Sequence, residues 1–183
     1  RFRGVTGVQT CALPISRVAV YDAPVLLLGE SGSGKEVLAH FVHEHSSRKD
    51  KPFLAINCAA IPEQLLESEL FGYAEGTFTG QLRGGKKGLF GEAHGGTLFL
   101  DELGDMSMEL QSKILRVLET KMYTPVGSHK QYETDVRIIS ATNRNLEEMV
   151  SQSHFRRDLF YRLNVLCLFV PPLRQRPEDF SPE

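Results

Sequence analysis

The chain has 183 residues, 41% of them hydrophobic, enough to bury the core of one α/β domain. A formal net charge of −2 excludes broad electrostatic attraction of this segment to a nucleic-acid backbone. No apolar run approaches the roughly 18 residues that a membrane-crossing helix needs, and Cys58 and Cys167 sit in apolar surroundings like thiols of a reducing compartment, so the composition reads as cytosolic and soluble.

In chain order, the first residues are set aside. Val5 to Ile15 reads VTGVQTCALPI, which looks like the translation of a sequencing-library adapter, and such scars are excluded from fold reasoning. On this reading residues 1–15 are foreign, Cys11 carries no information, and native sequence runs from about Ser16. The other end stops at Phe180-Ser181-Pro182-Glu183 without a closing element, so the expectation is a fragment.

Val25–Gly29 is a continuous apolar strand, and Glu36–His45 follows with a helical pattern. Phe53–Asn57 is the next strand, and Pro62 opens a helix to about Phe71, proline being favoured in a first turn. Tyr73 to Lys87 is glycine-rich without a period and reads as a long excursion, the kind of loop that is functional or disordered. Thr97–Leu100 is a strand, Leu110, Ile114, Val117 and Leu118 mark one face of a helix, and Val136–Thr142 and Val165–Val170 are two more strands. Strands alternating with helices predict an α/β fold with a mainly parallel sheet.

Between the first strand and helix lies GESGSGKE: Gly29, Glu30, Ser31, Gly32, Ser33, Gly34, Lys35 and Glu36. Gly29, Gly34 and Lys35 have the spacing of a phosphate-binding loop, flanked by a strand and a helix as that motif requires. Glycines let backbone N–H groups turn inward around phosphate oxygens, while the lysine adds a point charge and the helix a positive N-terminus. Glu36 stands where the general motif has a magnesium-ligating Ser or Thr. The expected ligand is a nucleoside triphosphate.

The strand Thr97–Leu100 delivers Asp101 and Glu102 at its C-terminal end, where open α/β sheets hold ligands. Asp101 would hold hydrated magnesium and Glu102 would activate the attacking water. Strand ends commonly become polar, so the pair gains force from the phosphate loop that precedes it. Asn57 and Asn143 also end strands, and each is either a phosphate- or water-facing amide or a turn former. His40, His43 and His45 share one helix without a convincing metal pattern, and Cys58 has no positioned base beside it.

The longer motifs carry a family resemblance. GESGSGKE, NCAA at Asn57–Ala60, ESELFG at Glu67–Gly72 and GGTLFLDE at Gly95–Glu102 occur in order with SATNRNL at Ser140–Leu146. FRRDLFYRLNV at Phe155–Val165 and PPLRQRPED at Pro171–Asp179 complete the set. From about Val25 to Asp179 the chain resembles the central AAA+ ATPase domain of bacterial enhancer-binding proteins, the activators of sigma-54 RNA polymerase. Glu36 is that family's usual residue.

The resemblance implies a P-loop NTPase fold of the AAA+ type, ATP and Mg2+ as cofactors, and a C-terminal helical lid that lies beyond Glu183. GTFTGQ, comprising Gly76, Thr77, Phe78, Thr79, Gly80 and Gln81, corresponds to the family's sigma-contacting GAFTGA loop, with Thr77 and Gln81 in place of alanines. It further implies that Asn57 holds Glu102 away from water until the nucleotide state changes, and that Thr142 and Asn143 form sensor I. Arg156 and Arg162 would reach the neighbouring subunit's nucleotide. On an ideal helix they point about 120° apart and so do different jobs, and Arg157 between them is a solvated charge. Arginines acting in trans require a closed ring, a hexamer in the family, while DNA would be bound only through a C-terminal module. The implied activity is ATP hydrolysis that remodels the sigma-54 holoenzyme, weak in a lidless fragment; the alternatives are another AAA+ remodeller or a nucleotide-binding-only piece.

Overall fold

Strands that read as unbroken apolar runs need cover on both faces, and the fold supplies it from two helical layers. The computed structural model describes residues 15–76 and 85–175, with Ser16 and Leu173 through their backbone only. The elements begin with α1 (Ile15–Val20), β1 (Val25–Leu28), α2 (Lys35–Glu44), β2 (Phe53–Asn57), α3 (Glu63–Phe71), β3 (Gly72–Tyr73), β4 (Lys86–Lys87) and α4 (Leu89–Glu92). They continue through β5 (Thr97–Asp101), α5 (Met108–Thr120), β6 (Met122–Tyr123), β7 (Tyr132–Glu133), β8 (Arg137–Thr142), α6 (Leu146–Ser151), α7 (Arg157–Leu163) and β9 (Leu166–Phe169).

The five longer strands form one parallel sheet in the order β2-β5-β8-β1-β9. Successive side chains alternate between faces, which splits each apolar run between two cores. Val25 and Leu27 of β1 pack with Val18, Leu38 and Val42 of α1 and α2. Leu26, between them, faces the opposite cluster with Leu66, Leu110, Ile114, Leu159 and Leu163 from α3, α5 and α7. The predicted strands are all present, within a residue or so at each end. Pro62 stands just outside its helix as the N-cap rather than in the first turn.

Two short hairpins escaped the sequence reading. The described ends of the glycine-rich excursion pair as β3 and β4, antiparallel, with Gly72 opposite Lys87 and Tyr73 opposite Lys86. β6 and β7 form a second hairpin, and Val126 within it bonds the first through Ala74 N–H to Val126 O (2.9 Å) and Val126 N–H to Gly72 O (2.9 Å). Of GTFTGQ, Gly76 is described, exposed with φ 80°, whereas Thr77 to Gln81 lie outside the described residues.

At the N-terminal edge of the sheet, Arg137 donates to Val18, Ala19 and Ala23 carbonyls, closing the end of α1. Arg48 clamps the same edge, with both carboxylate oxygens of Asp22 at 2.6 and 2.8 Å and those of Asp135 at 3.1 Å. Ile15, assigned by the sequence reading to the foreign leader, is 7% exposed in the α1–α2 core. Among the described residues no helix is long and apolar enough to cross a membrane.

Candidate functional site

The insertion of β8 between β1 and β5 is what assembles the site. Leu28 pairs with Thr142 and Asn57 with Asp101, so the phosphate loop, the acidic pair and Asn143 all leave the C-terminal edge of one sheet. The ladder continues one residue past β1, where Gly29 N–H donates to Thr142 O at 3.2 Å. A Cβ on Gly29 would lie 2.5 Å from Val170 O, so only glycine lets the loop leave so close to the end of β9. At the other end of the loop Gly34 adopts the left-handed conformation, φ 86°, and α2 begins at Lys35. Glu30, Ser31, Gly32 and Glu36 are exposed and Ser33 is buried.

Lys35 is only 5% exposed, and its ammonium donates to the carbonyls of Gly29 (3.1 Å) and Glu30 (3.0 Å). Two of its three N–H groups thus brace its own loop. A buried ammonium held at the mouth of a helix N-terminus is suited to an anion.

Asp101 closes β5, and its Oδ1 accepts from Glu102 N–H at 2.9 Å. Glu102 takes the left-handed conformation, φ 50° and ψ 47°, an uncommon state for a residue with a Cβ. Its Oε2 is buried with no hydrogen-bond partner among the described residues. An orphaned acceptor beside the strand end is well placed to take a proton from water. Nearby, burial first, and then the charges of Asp101, Asp105 and Glu102, push the Cys58 thiol up to about 12, so it stays protonated at neutral pH.

The oxygen of the amide predicted to restrain Glu102 is engaged in its own turn. Asn57 Oδ1 accepts from Ala59 N–H (2.9 Å) and Ala60 N–H (3.1 Å), the turn-forming role that its position also allows. Thr142 is buried and its Oγ1 accepts from Arg144 N–H, whereas Asn143 is exposed. Asn143 lines a cavity of about 570 Å³ together with Gly29, Glu30, Phe160, Asn164 and Phe169.

The geometric premise for the two arginines changes. Arg156 is the N-cap of α7, with φ −73° and ψ 130°, so it does not share an ideal helix with Arg162. Both point at α5: Arg156 donates to Ser112 Oγ (3.0 Å) and pairs with Asp158 (2.7 Å), while Arg162 donates to Leu118 O (3.2 Å). Neither lines the cavity beside Gly29 and Glu30. Arg157 is exposed. His43 is buried against Phe53, its Nδ1 2.9 Å from Thr97 Oγ1. Sequence reasoning missed a bidentate pair between Arg174 and Glu30; its one signal was the PPLRQR motif that carries the arginine.

The Sigma-54 interaction domain family matches residues 5–169. The chain belongs to this family. GlrR, a transcriptional regulatory protein of Escherichia coli K12, is 54% identical over 162 residues, 88% of this chain and 36% of GlrR. NtrX from Brucella abortus, solved in complex with ATP, superposes with a TM-score of 0.81 at 45% identity, covering 90% of this chain and 37% of NtrX. A P-loop NTPase domain of a sigma-54 activator from E. coli shares the fold, with a TM-score of 0.58 at 17% identity and 90% of that chain covered. This sigma-54 interaction domain therefore has the AAA+ P-loop NTPase fold and spans little more than a third of GlrR or NtrX.

Proposed function

We propose that the chain is the ATP-hydrolysing, sigma-54-contacting unit of a sigma-54-dependent transcriptional activator, working as a hexameric ring in the cytoplasm. The observation that carries this is the convergence of Lys35, Asp101, Glu102 and Asn143 at one sheet edge in a member of the sigma-54 interaction family. ATP phosphates lie along residues 29–36 with Lys35 on the outer ones, and Glu102 takes the proton of the attacking water. Asp101 would hold Mg2+, which when bound would supply positive charge against the phosphates; an aspartate at the strand end suits that hard cation. Asn143 senses the terminal phosphate, and Asn57 restrains Glu102 through its side-chain NH2 donor in one nucleotide state.

Arg156 and Arg162 serve the neighbouring subunit's nucleotide, a reading supported by neither of them lining the cavity beside this chain's own phosphate loop. Their positive charge stabilises the transferred phosphoryl group. The stem formed by β3 and β4 moves the loop Gly76–Gln81 against the sigma factor. DNA is engaged only by a separate module. Residues 1–14 add nothing to this activity.

The test is paired, on a lid-containing version: ATP turnover, and capture of sigma-54 in the presence of a transition-state nucleotide mimic. Thr79→Val keeps side-chain volume and removes the hydroxyl, so turnover should persist while capture is lost. Capture equal to that of the parent removes the loop as the contact surface. A parent that hydrolyses ATP but never captures sigma-54 is a different AAA+ remodeller.

A further inference from the structure

The phosphate loop carries an acidic side chain that nucleotide binding by itself does not explain. Glu30 lies between Gly29 and the exposed turn of the loop, and its main-chain oxygen already accepts from Lys35 Nζ and Ser33 N–H. Its carboxylate faces outward, where Arg174 holds both oxygens in a planar fork, Nη1 to Oε2 and Nη2 to Oε1 at 2.7 Å each. The partners are 144 residues apart in sequence.

Arg174 belongs to a single turn, Leu173–Gln175, closed by Gln175 N–H on Pro172 O at 2.9 Å. That turn follows β9, whose end is fastened to the start of the phosphate loop. Val170 N–H donates to Leu28 O at 2.7 Å, and Val170 O occupies the space that a Cβ on Gly29 would need. The segment after β9 thus holds the approach to the loop by a backbone bond at Leu28 and the loop itself by charge at Glu30.

Between Gly29 and Glu36 the loop has two carboxylates, Glu30 and Glu36, against the single ammonium of Lys35. An uncompensated carboxylate on Glu30 would repel an incoming polyphosphate. The fork cancels that charge and fixes the carboxylate to one side, which lysine's point charge cannot do as well. Arg174 also holds the Glu30 carboxyl below its ordinary value of 4.5, so the pair is ionised at neutral pH.

We propose that Arg174 is a positioning residue for polyphosphate binding, neutralising and orienting Glu30 so that the phosphate loop accepts a nucleoside triphosphate and the segment after β9 responds to loop shape. This rests on the nucleotide-binding reading above. Both side chains are exposed, so the effect is modest and screened by salt.

The measurement is ATP affinity by calorimetric titration of the full chain at low and high salt. Arg174→Ala should weaken ATP about two- to fivefold at low salt, the range of exposed ion pairs, and less at high salt. Adding Glu30→Gln should restore affinity, Arg174→Lys should lie between, and the melting midpoint should stay with the parent. Arg174→Ala binding ATP as the parent does, or a deficit that Glu30→Gln does not repair, overturns the proposal. A parent that binds no ATP overturns the nucleotide-binding reading instead, and this inference with it.

Discussion

Glu102→Ala should leave the chain more stable and unable to hydrolyse ATP. Glu102 carries two local costs in the fold: a left-handed backbone at φ 50° and a buried Oε2 without a hydrogen-bond partner among the described residues. An unsatisfied buried acceptor costs about 1–3 kcal/mol. Alanine removes that cost, keeps the backbone strain, and loses at most about 1 kcal/mol of half-buried methylene contact. The net gain is roughly 0–2 kcal/mol, which in a domain of this size raises the melting midpoint by up to about 8 °C. Glu102→Gly also relieves the left-handed strain of about 1–2 kcal/mol. It returns about 0.5–1 kcal/mol of that through the freer unfolded chain.

Hydrolysis should fall about 10²–10⁴-fold in both variants, the usual contribution of a general base. ATP binding should remain, in contrast to Lys35→Ala, which removes the cation at the loop. Thermal unfolding without nucleotide and phosphate release at saturating ATP, on the same preparations, make the assay. An alanine variant less stable than the parent would show that the carboxylate has a stabilising partner. Turnover above about a tenth of the parent's would remove Glu102 as the base.

Arg48→Ala should cost about 3 kcal/mol at neutral pH, the lower end for a broken buried pair, because Asp22 and Asp135 are half exposed and rehydrate. Arg48, chiefly by its hydrogen bond, holds the Asp22 carboxyl below its ordinary 3.8, so this stabilisation is complete above 3.8 and drains as pH falls through the lowered value. Urea midpoints compared across that range should draw closer in acid without meeting, because Arg48 also donates to the Gly96 and Asp135 carbonyls, and an unchanging gap would refute the pairing. Deleting residues 1–14 should leave the midpoint unchanged, whereas Ile15→Ala should lower stability by about 2 kcal/mol through loss of a core side chain. Calorimetric scans of both decide it; a marked loss from the deletion would show that the leader belongs to the fold.

The sequence by itself determined the strands, the phosphate loop and the acidic pair, because each is written in adjacent residues. Val25–Leu28, Phe53–Asn57 and Thr97–Asp101 are strands of a sheet layered with helices on both sides, so their apolar runs are unbroken and visible without neighbours. GESGSGKE is legible for the same reason: its backbone requirement is local and glycine alone meets it. The two-residue strands β3, β4, β6 and β7 have no period to detect, and they exist only through their antiparallel partners.

What tertiary structure alone decided was the company each residue keeps. The placement of β8 between β1 and β5 brought Asn143 beside Gly29, although more than a hundred residues separate them. The same packing turned Arg156 and Arg162 toward α5 and drew Arg174 to Glu30 across 144 residues. Hydrogen-bond direction and charge pairing depend on distances of a few ångströms, and those are set by how the layers pack rather than by neighbours along the chain.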